Sequence, residues 1–441
     1  LHLDSTCQKG SAHLMTGVDE LSGMVLLNAR MPTENGEATA GVLSELADRY
    51  GEPVAVACDM SAAILNAIEK TLDGVPVFIC HFHFLRDLGK DLMAEDYALI
   101  RKRLALHGPK AELKRLAREL RNCTHDRGKQ LEPLIKHIEN GTEPSDELVA
   151  SVPADVLLAA LITSALEGEN RGDGCGFPFD RPHLAFFRQL QSVLPAASAL
   201  RTCTSLDVPT RKLYDRAINA IQPVCDDAEL AAAADRLERA AAVFDDLRVA
   251  MRIAEPQSAK GLNDDGRQID MHTIESRVEH FRASLSADPQ RRALPGIDAM
   301  LAQLDKYWHR LFADPVVLQT PDGERTVQPQ RTNNILERFF RGLNRACRKR
   351  SGNRLTAAVL DNMLPDVPLV VNLDNPDYVE LLLDGCEDLA QRLAKVDRRT
   401  VTASLIQARK SPTGLSRKTR RILRKRSLPL QIAVCILRKT A

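Results

Sequence analysis

The chain has 441 residues, of which 44% are apolar and 4% aromatic, and its net charge is +1. This length is enough for two or three domains with a substantial core, and the small net charge gives no argument for a polyanionic partner of the chain as a whole. The ten cysteines are scattered without a CxxC pair, which is typical of a reduced, cytoplasmic protein. The longest apolar stretch, 155–166, is too short to cross a bilayer, so we expect no membrane role.

Residues 1–85 alternate strand and helix patterns. The first three strands are expected to form an antiparallel meander, and the fourth is apolar throughout, as a central strand covered on both faces should be. The predicted order is β-β-β-α-β-α-β, with strands at 1–6, 13–19, 23–31, 53–59 and 75–84 and helices at 35–51 and 61–74.

From residue 86 to residue 330 the strand pattern nearly vanishes, and Leu, Ala, Arg and Glu recur at helical spacing. A turn at 320–330 then leads into a long helix at 331–352, and a basic stretch, 414–427, follows near the end. The sequence therefore predicts an α/β fold in which a mixed sheet is interrupted by a large all-α insertion. Its parts are a first core segment, the helical insertion, a second core segment and a C-terminal helical basic region, at 1–85, 86–330, 331–365 and 366–441.

Three acidic residues stand where their carboxylates could meet. Asp4 lies in the first strand and Asp59 ends the strand after the first helix, so both emerge at one edge if these strands are neighbours. Glu337 lies on the long helix, whose first turn the Thr332 hydroxyl can cap. Each acid also has an ordinary explanation: a helix N-cap for Asp59, a strand-end acid for Asp4, and a surface ion pair with Arg341 for Glu337.

Three converging carboxylates suit divalent metal chemistry. Mg²⁺ takes oxygen ligands and is held by a few carboxylates together with substrate phosphate. Two such ions roughly 3.5–4 Å apart can activate a water or a 3′-hydroxyl and stabilise the leaving oxygen of a phosphodiester. The acids therefore predict a two-metal site for phosphoryl transfer.

Several blocks of the sequence resemble DDE transposases with an RNase H-like fold, and are most similar to the Mutator-like and related bacterial insertion-sequence groups. LHLDST, VACDMS and RTNNILERFFRGLNRACRKRSG resemble the segments that carry the first Asp, the second Asp and the Glu. Those groups also have a helical insertion between the second Asp and the Glu. CHFHF matches their Cys-x2-His signature, and GFPFDRPHLAFF resembles a block of their insertion domain. The resemblance covers essentially the whole chain.

The resemblance implies an RNase H-like mixed sheet and a transposase that cleaves DNA at transposon ends and transfers the strand to target DNA. It implies that Asp4, Asp59 and Glu337 are catalytic and hold two Mg²⁺ ions, which Mn²⁺ can replace. The partners are then double-stranded DNA, as transposon ends and as target, and a second copy of the chain, because synapsis of two ends needs at least a dimer.

Cys80 and His83 form the Cys-x2-His pair. A structural zinc ion needs four ligands and no clear second pair is present in the sequence, so a zinc site is the weaker interpretation. We expect both residues to have packing and hydrogen-bonding roles near the active site.

A basic face continues the long helix beyond Glu337. Arg and Lys contacts to phosphate dominate affinity for nucleic acid, so these side chains are expected to bind the DNA backbone, although a solvated charged face is the ordinary alternative. They are Arg341, Arg345, Arg348, Lys349, Arg350 and Arg354. Trp308 is most simply a core residue, and stacking on an unpaired base is the alternative.

Two other functions stay open. One is an RNase H-like nuclease that hydrolyses DNA without strand transfer, and the other is a non-catalytic, transposase-derived DNA-binding protein. Transposases of these groups carry an N-terminal DNA-binding domain that recognises the transposon ends. Because this sequence opens on the first catalytic strand, we expect that region to be missing or placed separately.

Overall fold

The computed structural model describes residues 1–7, 12–31, 33–124, 127–168, 172–203, 205–254, 271–320, 323–352 and 367–410. The chain divides into two compact units. The first, called here the sheet unit, combines Leu1–Cys80 with Pro315–Ala441, and the second, the helical unit, is His81–Asp314. A mixed α/β architecture with a large helical part is thus confirmed, but the helical part begins before residue 86 and ends before residue 330.

Five strands form the main sheet: β1 (His2–Thr6), β2 (His13–Val18), β3 (Val25–Met31), β4 (Val56–Cys58) and β5 (Val77–Ile79). They lie in the order β3-β2-β1-β4-β5. The first three strands pair antiparallel, which confirms the predicted meander, whereas β4 pairs parallel with both β1 and β5. The sheet is therefore mixed, with β1 at its centre.

Helices account for most of the remaining described chain. In chain order they are α1 (Gly36–Tyr50), α2 (Ala62–Thr71), α3 (His81–His107), α4 (Pro109–Thr124), α5 (Glu132–Glu139), α6 (Asp146–Ser151), α7 (Ala154–Glu167), α8 (Pro182–Cys203), α9 (Val208–Cys225), α10 (Ala228–Ala250), α11 (Met271–Ala287), α12 (Pro289–Arg292), α13 (Ile297–Leu311) and α14 (Asn334–Ser351), followed by Pro376–Leu383, Leu389–Ala394 and Arg398–Lys410. Within the described ranges, none of these helices has the length and apolarity needed to cross a bilayer.

The register of β1 against β4 sets the level of the two strand-end acids. His2 of β1 pairs with Ala57 of β4 in the parallel ladder. Two residues further along, the chains reach Asp4 and Asp59. Because neighbouring strands of a sheet lie about 4.8 Å apart, this register brings the backbones of the two acids to the same edge, as the sequence predicts.

Helices cover both faces of the sheet. The Gly17 position of β2 faces α1, where an added Cβ would lie 3.2 Å from the Leu46 side chain. Its neighbour Val18 packs instead on Leu336 and Phe340 of α14. Because successive residues of a strand face opposite sides, α1 and α14 lie on opposite faces of the sheet.

The helical unit has a core built mainly of Leu and Ala, as the scarcity of aromatic residues predicts. Its longest helices, α3 and α10, pack along each other, and α4, α7, α8 and α9 pack in turn beside them. In α10 the buried positions recur every three or four residues, for example Leu230, Ala233, Ala234 and Leu237. Small Ala side chains let these helices approach closely. Large rings also fill the core, and the most deeply buried are Phe84, Phe186, Phe187, Tyr214 and Phe244.

The strand predicted at 75–84 is wrong in its second half. Strand β5 ends at Ile79, and α3 begins at His81. Phe84, Leu85 and Leu88 are buried at helical spacing, so the apolar run continues into the buried first turns of a helix. A short apolar run does not by itself distinguish a strand from a buried helix, which explains the error.

The segment predicted as a turn at 320–330 belongs to a hairpin in the sheet unit. Strands β6 (Val316–Thr320) and β7 (Gly323–Val327) pair antiparallel, with Val316 opposite Val327. The strand pattern was missed because β7 is mostly exposed and polar, so it lacks the alternation of a half-buried strand.

A 3-10 segment, Val367–Asp374, covers the outer edge of β3. The Asn372 side chain accepts a hydrogen bond from the Val25 amide at 2.8 Å and donates one to the Val25 carbonyl at 2.8 Å. The Asn372 side chain therefore bonds the Val25 amide and carbonyl as the backbone of a neighbouring strand would. This protects the edge of the sheet, which could otherwise pair with another chain. Arg354 and the basic stretch 414–427 lie outside the described residues.

Asp227 joins the end of α3 to the start of α10. It is the N-cap of α10, accepting from the Leu230 amide at 3.0 Å, and its Oδ2 accepts from Arg103 and His107, each at 2.7 Å. Burial alone would raise the pKa of its carboxyl, but the hydrogen bonds from Arg103 and His107 outweigh burial and hold the pKa well below its usual range. The charged form of Asp227 therefore stabilises the helical unit.

We expect Asp227→Ala to lower the free energy of unfolding by about 2–4 kcal/mol, because it removes a helix cap and the acceptor of the hydrogen bonds from Arg103 and His107. A depressed folded pKa contributes stability above the unfolded pKa, and this contribution is lost as the pH falls through the folded value. Urea unfolding should therefore show a difference between wild type and variant that is full at pH 7 and shrinks below about pH 4. Asp91→Ala, at an exposed position of α3, is the matched control and should change stability by less than about 0.5 kcal/mol. An equal loss in both variants would contradict the role of Asp227.

Candidate metal centre

Asp4 lies on the face of the sheet that carries α14. It is only 6% exposed, and its Oδ1 accepts a hydrogen bond from the Ser5 amide at 2.7 Å. Along β1, His2 and Asp4 share this face, whereas Leu3 and Ser5 face the other side. Burying a carboxylate is costly unless donors or a metal ion compensate its charge, so this position is suited to an ion ligand.

Glu337 stands in the first turn of α14, and its amide donates to the Asn333 carbonyl at 3.0 Å. Leu336 and Phe340 are buried against the sheet, which fixes the rotation of the helix about its axis. An acid in the first turn also interacts favourably with the helix dipole. The cap predicted from Thr332 is wrong: its buried hydroxyl has no hydrogen-bond partner among the described residues, and the N-cap position is Asn333.

The structure brings Asp4 and Glu337 of the sheet unit together. Each offers one carboxylate oxygen as a ligand atom, and these atoms lie within 4.8 Å of each other. Asp4 is buried, and Glu337 is half-buried. These two carboxylates can hold a metal ion, and we call them the Asp4–Glu337 pair.

His83 follows β5 by only a few residues, in the first turn of α3. Burial, and then the positive charge of Arg86, lower the pKa of its imidazole to about 4. The ring is therefore neutral at pH 7. The sequence predicts a packing and hydrogen-bonding role for His83, and the side chain is buried, as packing requires.

The donor types of the Asp4–Glu337 pair fit a divalent cation. Carboxylate oxygens suit both Mg²⁺ and Mn²⁺. Asp4 and Glu337 are thus a carboxylate pair of the kind that holds Mg²⁺ together with substrate phosphate.

Asp59 lies just after β4 and is not part of the Asp4–Glu337 pair. Its Oδ1 accepts from the Ser61 amide at 2.9 Å, which forms a local turn before α2. The N-cap of α2 is Ser61, so the cap that the sequence left open for Asp59 is replaced by this turn. The β1–β4 register keeps Asp59 beside Asp4, and its role as a metal ligand stays a prediction.

The side chain of Asn333 links α14 to the central strand. This residue is 1% exposed, its Oδ1 lies 2.9 Å from His2 Nδ1, and its Nδ2 donates to the Leu3 carbonyl at 3.0 Å. Its backbone amide donates to Cys80 Sγ at 3.3 Å. One residue therefore fixes the start of α14 against β1 and against the end of β5, four residues before Glu337.

Cys80 and Glu20 complete this support. Cys80 is buried, and its amide donates to the Cys58 carbonyl at 2.8 Å, which extends the pairing of β4 and β5. Glu20 contacts His2 Nε2 at 3.1 Å and accepts from the Gln330 amide at 3.1 Å. The contacts of Cys80 are those of the packing and hydrogen-bonding residue that we expected from the sequence.

The basic face of α14 follows Glu337 along the helix. Arg341, Asn344, Arg345, Arg348 and Lys349 line one groove, and Arg350 is exposed nearby. On the opposite side of the helix, Leu336, Phe340 and Cys347 are buried. The predicted division of α14 into an apolar and a charged face is thus present, while contact of its cations with DNA stays a prediction.

Trp308 belongs to the helical unit and is held by its neighbours there. Its Nε1 donates to Glu275 Oε1 at 2.7 Å, and its ring meets Phe312 edge-on with centroids 4.6 Å apart. The Arg282 guanidinium lies 5.0 Å from the ring centre. These contacts are those of a packing residue, which favours the simpler interpretation of Trp308.

His2, Glu20 and Asn333 support the site but are not among the residues that the sequence predicts for it. The signal for Asn333 is a buried polar residue directly before a helix, because such an amide needs partners. Its partners are distant in sequence, and only the paired strands bring them within reach.

No protein-family model matches the chain, and no curated protein matches it. The function is therefore argued from the residues of the site.

We expect Asn333→Ala to lower the free energy of unfolding by about 2–4 kcal/mol, because it leaves His2 and the Leu3 carbonyl without their buried partner. Asn66→Ala, at an exposed position of α2 in the same unit, should change it by less than about 0.5 kcal/mol. Urea unfolding followed by circular dichroism measures both. Equal stability of the two variants would show that the Asn333 bridge does not hold α14 in place.

Proposed function

We propose that the chain is a DDE transposase with an RNase H-like core, which cleaves DNA at transposon ends and joins the freed strand to target DNA. The observation that carries this proposal is the close approach of Asp4 and Glu337, whose ligand atoms lie within 4.8 Å of each other, with Asp59 level with Asp4 on the neighbouring strand of a mixed sheet. The element order β-β-β-α-β-α-β, a large helical unit and a returning helix with Glu337 also support it.

Asp4, Asp59 and Glu337 are the residues proposed to hold two Mg²⁺ ions, which Mn²⁺ can replace. When bound, divalent ions supply activation of a water or 3′-hydroxyl and stabilisation of the leaving oxygen of a phosphodiester. The chain itself has to place the scissile phosphate. The rigid anchoring of α14 through Asn333 keeps Glu337 in register with Asp4 while DNA binds.

The groove lined by Arg341, Asn344, Arg345, Arg348 and Lys349 supports a nucleic-acid substrate. It begins one turn beyond Glu337 on the same helix, so a backbone that follows it leads toward the carboxylates. Cationic side chains there neutralise successive phosphates and release counterions. Double-stranded DNA and a second copy of the chain are the proposed partners, since two ends must be held together.

Two alternatives share this site. A nuclease of the same core would hydrolyse DNA but form no joined product when target duplex is supplied. A non-catalytic DNA-binding protein would bind DNA in the same groove and cut nothing with any metal. The close approach of Asp4 and Glu337 favours the catalytic proposals, because holding carboxylates together is costly without a cation.

Asp4→Asn, Asp59→Asn and Glu337→Gln should each lower Mn²⁺-dependent cleavage and strand joining at least about 100-fold, because each removes a charged ligand while keeping the side-chain shape. The assay uses labelled DNA that carries the flanking element ends, with target duplex added. Glu37→Gln, an exposed acid in the first turn of α1, is the matched control and should retain activity. Cleavage that survives in all three variants would rule out the proposed site.

Arg341→Ala, Arg345→Ala and Arg348→Ala should weaken DNA binding similarly for all sequences, and each should lower the slope of log affinity against log salt by about 1. Fluorescence anisotropy at several salt concentrations measures this slope. Arg49→Ala removes an exposed arginine at the end of α1 and should leave it unchanged. An unchanged slope in the three α14 variants would place the DNA elsewhere.

A further inference from the structure

Glu34 occupies the side of the sheet opposite Glu337. It stands just before α1, whose N-cap Asn35 accepts from the Ala38 amide at 2.8 Å. Its carboxylate is largely covered, with 19% of the side chain exposed. Because Asn35 caps α1, the backbone next to it is held in place, and this fixes the point from which the Glu34 side chain extends.

The two oxygens of Glu34 bind two different serines. Oε2 accepts a hydrogen bond from the Ser5 hydroxyl, and Oε1 accepts one from the Ser61 hydroxyl. His13 Nδ1 is a third neighbour, 3.9 Å from Oε2. Ser5 follows directly in the chain after Asp4, and Ser61 comes two residues after Asp59, so Glu34 spans the ends of β1 and β4.

Each of these serines also holds one of the acids. The Ser5 amide donates to Asp4 Oδ1 at 2.7 Å, and the Ser61 amide donates to Asp59 Oδ1 at 2.9 Å. Both serines thus make the same pair of bonds, with the amide to an aspartate and the hydroxyl to Glu34. Ser5 thus connects Asp4 to Glu34, and Ser61 connects Asp59 to the same Glu34 carboxylate.

We infer that Glu34 is a positioning residue that sets the spacing between the Asp4 and Asp59 carboxylates through Ser5 and Ser61. This inference rests on the proposed metal-binding function of the two aspartates. Only a carboxylate at this point offers two acceptor oxygens that can hold two hydroxyl donors at once. Bonds to a charged acceptor are short and strong, so the bridge resists the repulsion between the two negative aspartates.

A residue that positions metal ligands is expected to affect metal affinity more than the stability of the fold. Substitutions of residues that orient metal ligands typically cost 10–100-fold in metal affinity. Glu34→Gln keeps the size of the side chain but replaces one acceptor oxygen by an NH₂ donor and removes the negative charge, so neither serine hydroxyl keeps a charged acceptor. Ser5→Ala and Ser61→Ala open the same bridge from its two ends without touching either aspartate.

The test measures Mn²⁺ binding to the full chain by isothermal titration calorimetry, together with the thermal unfolding midpoint of each variant. We expect Glu34→Gln to weaken binding at least about 10-fold, and Ser5→Ala and Ser61→Ala to weaken it likewise. The double serine variant should bind about as weakly as either single variant, because opening one end already opens the bridge. Glu37→Gln is the matched control, since it removes an exposed acid from the same helix start.

Wild-type affinity in Glu34→Gln, or serine effects that simply add, would overturn the positioning role. Affinity losses that only follow losses in the unfolding midpoint would do so too, because they would show a general structural role. Asp4→Asn separates the two proposals. If it abolishes Mn²⁺ binding while Glu34→Gln does not, the metal site stands and the inference about Glu34 fails. If wild type binds no Mn²⁺, both fail.

Discussion

The buried side chain of Asn333 joins the two separate stretches of chain that make up the sheet unit, together with the Asn372–Val25 hydrogen bonds at the outer strand. More than three hundred residues of sequence lie between β1 and α14, and the contacts of Asn333 with His2 and Leu3 bring them together. Such long-range contacts are made only after a large loss of chain entropy, so they depend on the prior pairing of the strands. Once made, they place Glu337 one turn of helix further on, beside Asp4.

The alternation of side chains along β1 is the second constraint. On one face, His2 contacts Asn333 and Asp4 lies close to the Glu337 carboxylate. The other face carries Ser5, which reaches Glu34. A shift of one residue in the register of β1 would exchange these faces. Asp4 could then not approach Glu337, and Ser5 could not reach Glu34. The parallel pairing with β4 fixes that register and brings Asp59 to the same level.

Much of the fold could be predicted from local pattern. The meander, α1, α2 and the helical insertion follow from periodicity, and Asp4 and Glu337 follow from strand-end and helix-face positions. The start of α3 could not be predicted, because Phe82 and Phe84 continue an apolar strand pattern into a buried helix. The packing role predicted for His83 rests on another ground, namely that the sequence has no clear second pair to complete a zinc site. Asn333 and Glu34 act through partners far away in sequence, and no local pattern identifies such pairs.

The most direct test of a metal centre at this sheet edge is a crystal structure of the protein grown with Mn²⁺, with anomalous data collected near the manganese edge. The close approach of Asp4 and Glu337 predicts an anomalous peak bonded to both carboxylates, with Asp59 as a further ligand. A peak bonded to other residues, or none at Asp4 and Glu337 at saturating Mn²⁺, would contradict the proposed metal centre and the proposed transposase chemistry that depends on it.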